Sequence, residues 1–379
     1  MDKELFLVAV FVNDNMSFIT SIGTAVPDNC FSQMQIAEFM ASALQMDEHN
    51  QRRLKALYRT TKIAQRYSVL PDYGVPFSEH QFYPQSLDLE PFPSISKRMM
   101  AYQKYALPLC LKAINNLNQD VSQITHIITV SCTGMYAPGL DIEIISSLGL
   151  NTTIQRTAIN FMGCYGAFNG LKMADTICKA HPESKVLVVC VELCTLHFQK
   201  RMEDDFLLSN ALFADGAAAV LIEGKAQNTN QKQLELKSFF CDLYFEGKQD
   251  MAWNVADFGF EMTLTSYIPK LVKSGIKSLI DRLLSNAEMT SQDIDLYAMH
   301  PGGKAILEAI ESSLEMKPDD NRYAYQILRD YGNMSSCTVL FVLNEILKDN
   351  ANNEAGKNIL SCAFGPGLTL ESMVLTVHG

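Results

Sequence analysis

The chain has 379 residues, 47% of them hydrophobic, and a formal net charge of −11. That length exceeds one ordinary core and suits two domains or a duplicated α/β unit, while the acidic balance argues against a general nucleic-acid or membrane-surface role. Ten cysteines without CxxC or disulfide-scaffold spacing point to a reducing, cytoplasmic setting.

Residues 1–15 read as an N-terminal extension. Their apolar run, LFLVAVFV at 5–12, is too short to span a bilayer and has no small-residue cleavage site. Met16 then precedes a convincing first strand at 18–26. Helical patterns follow at 32–44 and 48–60, and the Pro- and aromatic-rich stretch 77–93 reads as a long surface loop. Next come a helix at 95–117, a buried strand at 124–132, a short helix at 141–148 and a strand at 152–159. A sharp turn holds Cys164, and a helix runs on from it to about Ala180. Buried strands at 185–193 and 217–223 complete a first half, residues 16–230. The polar stretch 224–233, GKAQNTNQKQ, is the seam. The second half, residues 231–379, has strands at 234–245 and near 262–266, then a helix at 268–286 and a strand at 294–299. Helices at 304–316, 323–330 and 336–347 follow, and strands at 359–363 and 368–377 close the chain.

The halves match in pattern at an offset of about 170 residues, too long for a solenoid period. The helix–strand unit ending at Cys132 pairs with the one ending at His300. The Cys164 turn and its helix pair with Gly332-Asn333 and theirs, and the strand at 185–193 pairs with 357–365. Two copies of one βα unit packed face to face bring corresponding turns to a shared cleft near the strand ends. Cys164, His300 and Asn333 should therefore converge. Taken alone, a cysteine is most often a buried hydrophobe, a histidine a satisfied structural residue and an asparagine an N-cap. In related positions of a duplicated fold, the catalytic reading leads. At a helix start a cysteine thiolate is favoured. His300 could pair with it, and His300 and Asn333 could hold an enolate oxygen. That chemistry needs no metal or redox cofactor.

Five ordered motifs carry a family resemblance: MGCYGAFNGL around Cys164, ALFADGAAAV around Phe213, HPGG from His300, YGNMSS around Asn333 and AFGPGLTLE at 363–371. The chain resembles the type III polyketide synthases, the chalcone-synthase-like members of the thiolase superfamily. The resemblance implies a thiolase-like αβαβα layered fold made of two duplicated halves, and a homodimer. It implies iterative decarboxylative condensation of malonyl-CoA onto an acyl-CoA starter, closed by cyclisation to a pyrone- or resorcinol-type product. CoA thioesters are then substrates, and no cofactor is called for. Cys164 holds the growing chain, while His300 and Asn333 assist decarboxylation. Phe213 matches a gatekeeper aromatic, and Gly365, Pro366 and Gly367 match a loop that shapes the cavity wall. Met262 stands where plant members have a second gatekeeper Phe. Trp253, the only Trp, stands at a wall position that is commonly Gly, and His197 at a wall Thr. Met135-Tyr136-Ala137-Pro138 replaces a loop whose Met usually reaches across the dimer. Trp253 reads either as a wall that subtracts volume or as core packing.

Arg52, Lys55, Arg59, Lys62 and Arg66 recur at steps of three and four, a basic stripe if one helix carries them, which a CoA phosphate would relieve. The resemblance points to Arg53 and Lys55 for CoA. Cys190, Cys194 and His197 superficially resemble metal ligands, but no fourth ligand is near and no metal site is expected. The alternative function is a priming ketoacyl-acyl-carrier-protein synthase of fatty-acid type, which shares the Cys, His and Asn. HPGG and AFGPG favour the polyketide reading.

Overall fold

The computed structural model describes residues 15–227, 231–265, 267–317, 319–351 and 353–379. The apolar run 5–12 and the middle of the seam lie outside them. In chain order the first elements are β1 (Phe18–Ala25), β2 (Asn29–Ser32), α1 (Gln33–Ala43), α2 (Glu48–Thr60), β3 (Gln65–Ser68) and α3 (Ile95–Asn115). They are followed by β4 (His126–Ser131), α4 (Leu140–Leu148), β5 (Gln155–Asn160), α5 (Gly166–Ala180), β6 (Lys185–Leu193), α6 (Asp204–Leu212) and β7 (Asp215–Glu223). The later set is β8 (Gln233–Leu243), β9 (Met251–Ala256), β10 (Gly259–Leu264), α7 (Ile268–Asn286), β11 (Leu296–Met299) and α8 (Lys304–Leu314). It ends with α9 (Arg322–Tyr331), α10 (Thr338–Lys348), β12 (Asn358–Gly365) and β13 (Thr369–His378).

The strand order β11-β12-β13-β8-β1-β7-β6-β4-β5 resolves into two matching series. From β1 outward, β7 and β6 add antiparallel, then β4 and β5 parallel. From β8 outward, β13 and β12 add antiparallel, then β11 parallel. The duplication is therefore visible strand by strand; only β5 has no counterpart among the described residues. The two series join through just two residue pairs, Phe18 with Glu235 and Ile19 with Leu234.

Helices make the other layers. α3 covers β1, β6 and β7 from outside, and α7 covers β8 and β13. α5 packs on its own β4 and β6 and also on β13; α10 packs on β11 and also on β1 and β7. Both thus lie between the sheets, giving the αβαβα layering of the thiolase-like fold. Their sequences suit that place: α10 buries Val339 to Leu343 without a break, and a helix apolar on all sides must be covered on all sides.

The structure departs from the sequence reading in places. Residues 77–93 are irregular, but His80, Phe82, Tyr83 and Leu89 are buried. The buried Asp72 carboxylate accepts the N–H groups of Gln81, Phe82 and Tyr83, replacing a strand ladder and letting the aromatics turn inward. The basic stripe is not one helix face either. α2 stops at Thr60, and Arg66 lies buried in β3. The hairpin β9–β10, paired Ala256 to Gly259 through Met251 to Leu264, forms a separate two-stranded sheet.

Candidate active site

β5 delivers the chain to a tight bend. Phe161 and Gly163 take φ of 60° and 72°, a single 3-10 turn spans Gly163–Tyr165, and α5 begins at Gly166. Gly163 has no room for a side chain: a Cβ there would fall 2.2 Å from Pro366 Cδ. A Cβ on Gly365 would likewise meet Tyr165 Cδ1 at 2.5 Å. The Gly365-Pro366-Gly367 loop, expected as a cavity wall, thus backs the turn that carries Cys164. From the other side Gly163 N donates to Cys132 Sγ at 2.8 Å.

Asn333 ties the turns together. Its Oδ1 and Nδ2 each stand 4.0 Å from Cys164 Sγ, and Nδ2 donates to Gly302 O at 3.2 Å, inside the turn that follows His300. Ser335 N donates to Oδ1 at 2.8 Å and fixes the amide. His300 closes β11 by donating its N–H to Cys362 O at 2.9 Å, and its two buried ring nitrogens have no partner among the described residues. Unpaired buried nitrogens are costly unless a reacting group uses them.

Burial opposes the thiolate that the helix start favours. Burial pushes the Cys164 thiol up to about 12, outweighing donors at Ser335 and Asn333. Burial also pushes His300 down to about 3. Both shifts come from burial, which disfavours the charged form of each group.

One residue that sequence reasoning passed over is Glu192. It is fully buried in β6, where it accepts from Cys132 N at 2.9 Å, Thr133 Oγ1 at 2.8 Å and Ser336 Oγ. It therefore ties the loop after β4 to the loop after Asn333. Burial raises its carboxyl to about 7 despite these donors. The signal was present: Glu192 is the one acidic residue in the otherwise apolar run VLVVCVEL.

A narrow pocket is lined by Phe213, Met262, Trp253 and His197, together with Met40, Tyr73, Phe198 and Phe260, and Cys164, His300 and Asn333 are not in its lining. Only about 40 Å³ of it is open to the centres of water-sized molecules. Trp253 and Met262 are cross-strand partners. The Trp253 indole N–H donates to Cys132 O at 2.8 Å, and its ring packs against the apolar cluster that includes Met251 and Leu264, so this side chain both walls the pocket and packs on the core. His197 is a locked neutral ring: Nδ1 accepts from Phe260 N at 2.9 Å, leaving Nε2–H to donate to Thr133 O at 2.6 Å. It stacks on Phe260 at 4.3 Å and 7°, and burial pushes it down to about 3. Both nitrogens being engaged, it has no lone pair for a metal, and no His, Cys, Asp and Glu cluster among the described residues is placed to hold one. Arg53 and Lys55 stand on α2 outside this pocket's lining, Arg53 exposed and Lys55 in a 3.2 Å ion pair with Glu38. No helix among the described residues is long and apolar enough to cross a membrane.

The chain matches the family model for the N-terminal domain of chalcone and stilbene synthases over residues 9–226, and that for the C-terminal domain over residues 235–378. It is 30% identical over 374 residues to "Probable polyketide synthase 1" of Dictyostelium discoideum, covering 96% of this chain but only 12% of that protein. It is 29% identical over 371 residues to the "Alpha-pyrone synthesis polyketide synthase-like Pks18" of Mycobacterium tuberculosis, covering 96% of this chain and 91% of the relative. Among solved structures it is similar to the C-terminal type III polyketide synthase domain of Steely1 from Dictyostelium, with a TM-score of 0.85, 29% identity and coverage of 96% and 99%. It is also similar to PKS-I of the brown alga Ectocarpus siliculosus, with a TM-score of 0.87, 27% identity and coverage of 96% and 98%.

Proposed function

The chain belongs to the chalcone and stilbene synthase family, the type III polyketide synthases, which are transferases that form C–C bonds from CoA thioesters; from that premise we propose that it condenses malonyl-CoA repeatedly onto an acyl-CoA starter and releases a pyrone- or resorcinol-type product. The fatty-acid priming alternative draws no support from these likenesses. The observation that carries the reading is the side chain of Asn333, 4.0 Å from Cys164 Sγ and bonded to the turn behind His300.

As Sγ attacks the starter thioester, its proton passes to a free nitrogen of His300, so the two charges form together and stabilise each other. CoA leaves as its thiol, taking that proton, and the acyl group stays on Cys164. Malonyl-CoA then loses CO2. The electron pair left behind becomes an enolate, whose oxygen accepts from His300 and from the second N–H of Asn333 Nδ2. The enolate carbon attacks the Cys164 thioester, a C–C bond forms and Cys164 sulfur leaves. The lengthened chain returns to Cys164 for the next round. Phe213, Met262, Trp253 and His197 bound the space in which the chain folds, and Arg53 and Lys55 attract CoA phosphates. The enzyme works without a cofactor, in the cytoplasm, as a homodimer. The exposed Met135 and Ile142, which share a surface depression with Arg156 and Ala158 of the edge strand β5, favour that pairing.

The test is incubation with malonyl-CoA and acyl-CoAs of two to twelve carbons, read by mass spectrometry. Malonyl-derived C2 extensions that vanish in Cys164→Ala support the reading; free acids without new C–C bonds overturn it.

A further inference from the structure

The last carbonyls of α6 are held by buried side chains that the scheme above does not use. A helix end leaves its final carbonyls without intrahelical donors. Here Asn210 O accepts from Tyr58 Oη at 3.2 Å and from one terminal guanidinium nitrogen of Arg66 at 2.9 Å. Ala211 O accepts from Gln33 Nε2 at 2.8 Å, and Phe213 O from the same Arg66 nitrogen at 2.6 Å. The carbonyl between them, Leu212 O, accepts from Asn333 N at 3.0 Å, while Ala214 N donates to Asn333 O at 2.9 Å. Asn333 therefore hangs on a parallel bridge with Phe213, and the carbonyls on either side of its hook are held by Gln33 and Arg66.

Arg66 is 3% exposed, with its Nε donating to Gln33 Oε1 at 2.8 Å and its guanidinium 5.7 Å from the Tyr58 ring centre. Its stem also supports Gly332, the residue before Asn333. Gly332 has φ of 73°, and a Cβ there would fall 2.9 Å from Arg66 Cγ and Cδ. Burying a guanidinium is costly, and an apolar side chain would fill the space more cheaply. What only arginine supplies is a planar fork that reaches two carbonyls and an amide oxygen at fixed angles.

We propose that Arg66 is a positioning residue: its fork fixes the 210–213 segment, and through it sets Asn333 and Phe213 against Cys164. This rests on the reading of Asn333 as an enolate donor given above. A misplacement of about 1 Å in such a donor costs about 100-fold in rate. Starter loading onto Cys164 does not need Asn333, whereas malonyl-CoA decarboxylation does, so the two half-reactions separate positioning from general damage.

The full chain carrying Arg66→Met, Arg66→Lys or Asn333→Ala is assayed for both. Loading is read as the acyl mass added to Cys164 from hexanoyl-CoA. Decarboxylation is read as acetyl-CoA formed from malonyl-CoA, the enolate taking a proton from water. Asn333→Ala should lower decarboxylation about 100-fold. Both Arg66 variants should lower it about 10- to 100-fold, with loading and the KM for malonyl-CoA within about 3-fold of wild type. If Asn333→Ala falls and the Arg66 variants do not, Arg66 has no positioning role. If Asn333→Ala decarboxylates at the wild-type rate, the underlying reading of Asn333 fails instead. Loading and decarboxylation falling by one common factor, in step with lost melting amplitude, also overturns the proposal. Should Arg66→Met not fold, Arg66→Lys and Gln33→Leu, which frees Arg66 Nε, decide by the same ratio.

Discussion

Replacing Trp253 by alanine tests whether one indole sets the size of the acyl group. Truncating a fully buried Trp costs about 3–5 kcal/mol, and Trp253 is half-buried, so about 2 kcal/mol is expected from packing. Leaving Cys132 O without the indole donor adds about 1 kcal/mol. At about 1–2 °C per kcal/mol for a chain of this length, Tm should fall by roughly 3–6 °C, leaving a folded enzyme. Removing the indole widens this narrow pocket by on the order of 100 Å³, room for about four methylenes. Four methylenes newly buried there are worth about 3 kcal/mol at about 0.8 kcal/mol each, about 100-fold in kcat/KM. The assay is kcat/KM across acyl-CoA starters of two to twelve carbons with malonyl-CoA in excess. Wild type should favour the short end, and Trp253→Ala should move the optimum up by about four carbons. A lowered Tm with an unchanged starter profile would refute the argument.

Cys164→Ala should leave the melting curve within a few degrees of wild type while abolishing both the acyl-enzyme mass and the product, by more than about 1000-fold. Glu192 titrates abnormally high, at about 7 against an ordinary 4.5, so its contribution to stability is fully present below pH 4.5 and lost as pH rises through 7. Wild type should therefore lose about 2–3 kcal/mol relative to Glu192→Gln between pH 5 and 8, read by denaturant melts; a constant difference would contradict it. Asp215, raised to about 6 by burial, has the same sign, so Asp215→Asn should show the same trend over a lower window. Lys55→Glu, which also faces Glu38, should raise the KM for malonyl-CoA several-fold with kcat nearly constant, and the effect should shrink in high salt.

The layered fold was legible because its middle is written plainly. Runs such as residues 186–191 and 339–343 are apolar without alternation, and only burial on both faces explains them. The bend at Cys164 was legible from its small residues, since Gly163 touches Pro366 too closely for any other side chain. Much else was not. α6 and β9 carry no strong period, and tertiary contacts decide them. Arg66 looked like one more cation of a surface stripe, but α2 ends before it and the chain carries it inward. Local sequence shows the helix start at Cys164 but not the burial that pushes its thiol up. For Trp253 the sequence leaves wall and core packing open, and the fold makes it both.

The ribbon of β9 and β10 has a consequence for how such enzymes diversify. It holds Trp253, Phe260 and Met262, yet it belongs to neither strand series of the main sheet. Its polar links to the frame around Cys164 include the indole bond to Cys132 O and the backbone bond from Phe260 to His197. Six-residue segments can therefore be swapped as a graft provided these links survive, along with those from Gln199 Nε2 to Phe258 O and Phe260 O and from Ile95 N to Asp257 O. New product lengths then become reachable by exchanging an insert, with the machinery that makes the carbon–carbon bond inherited unchanged.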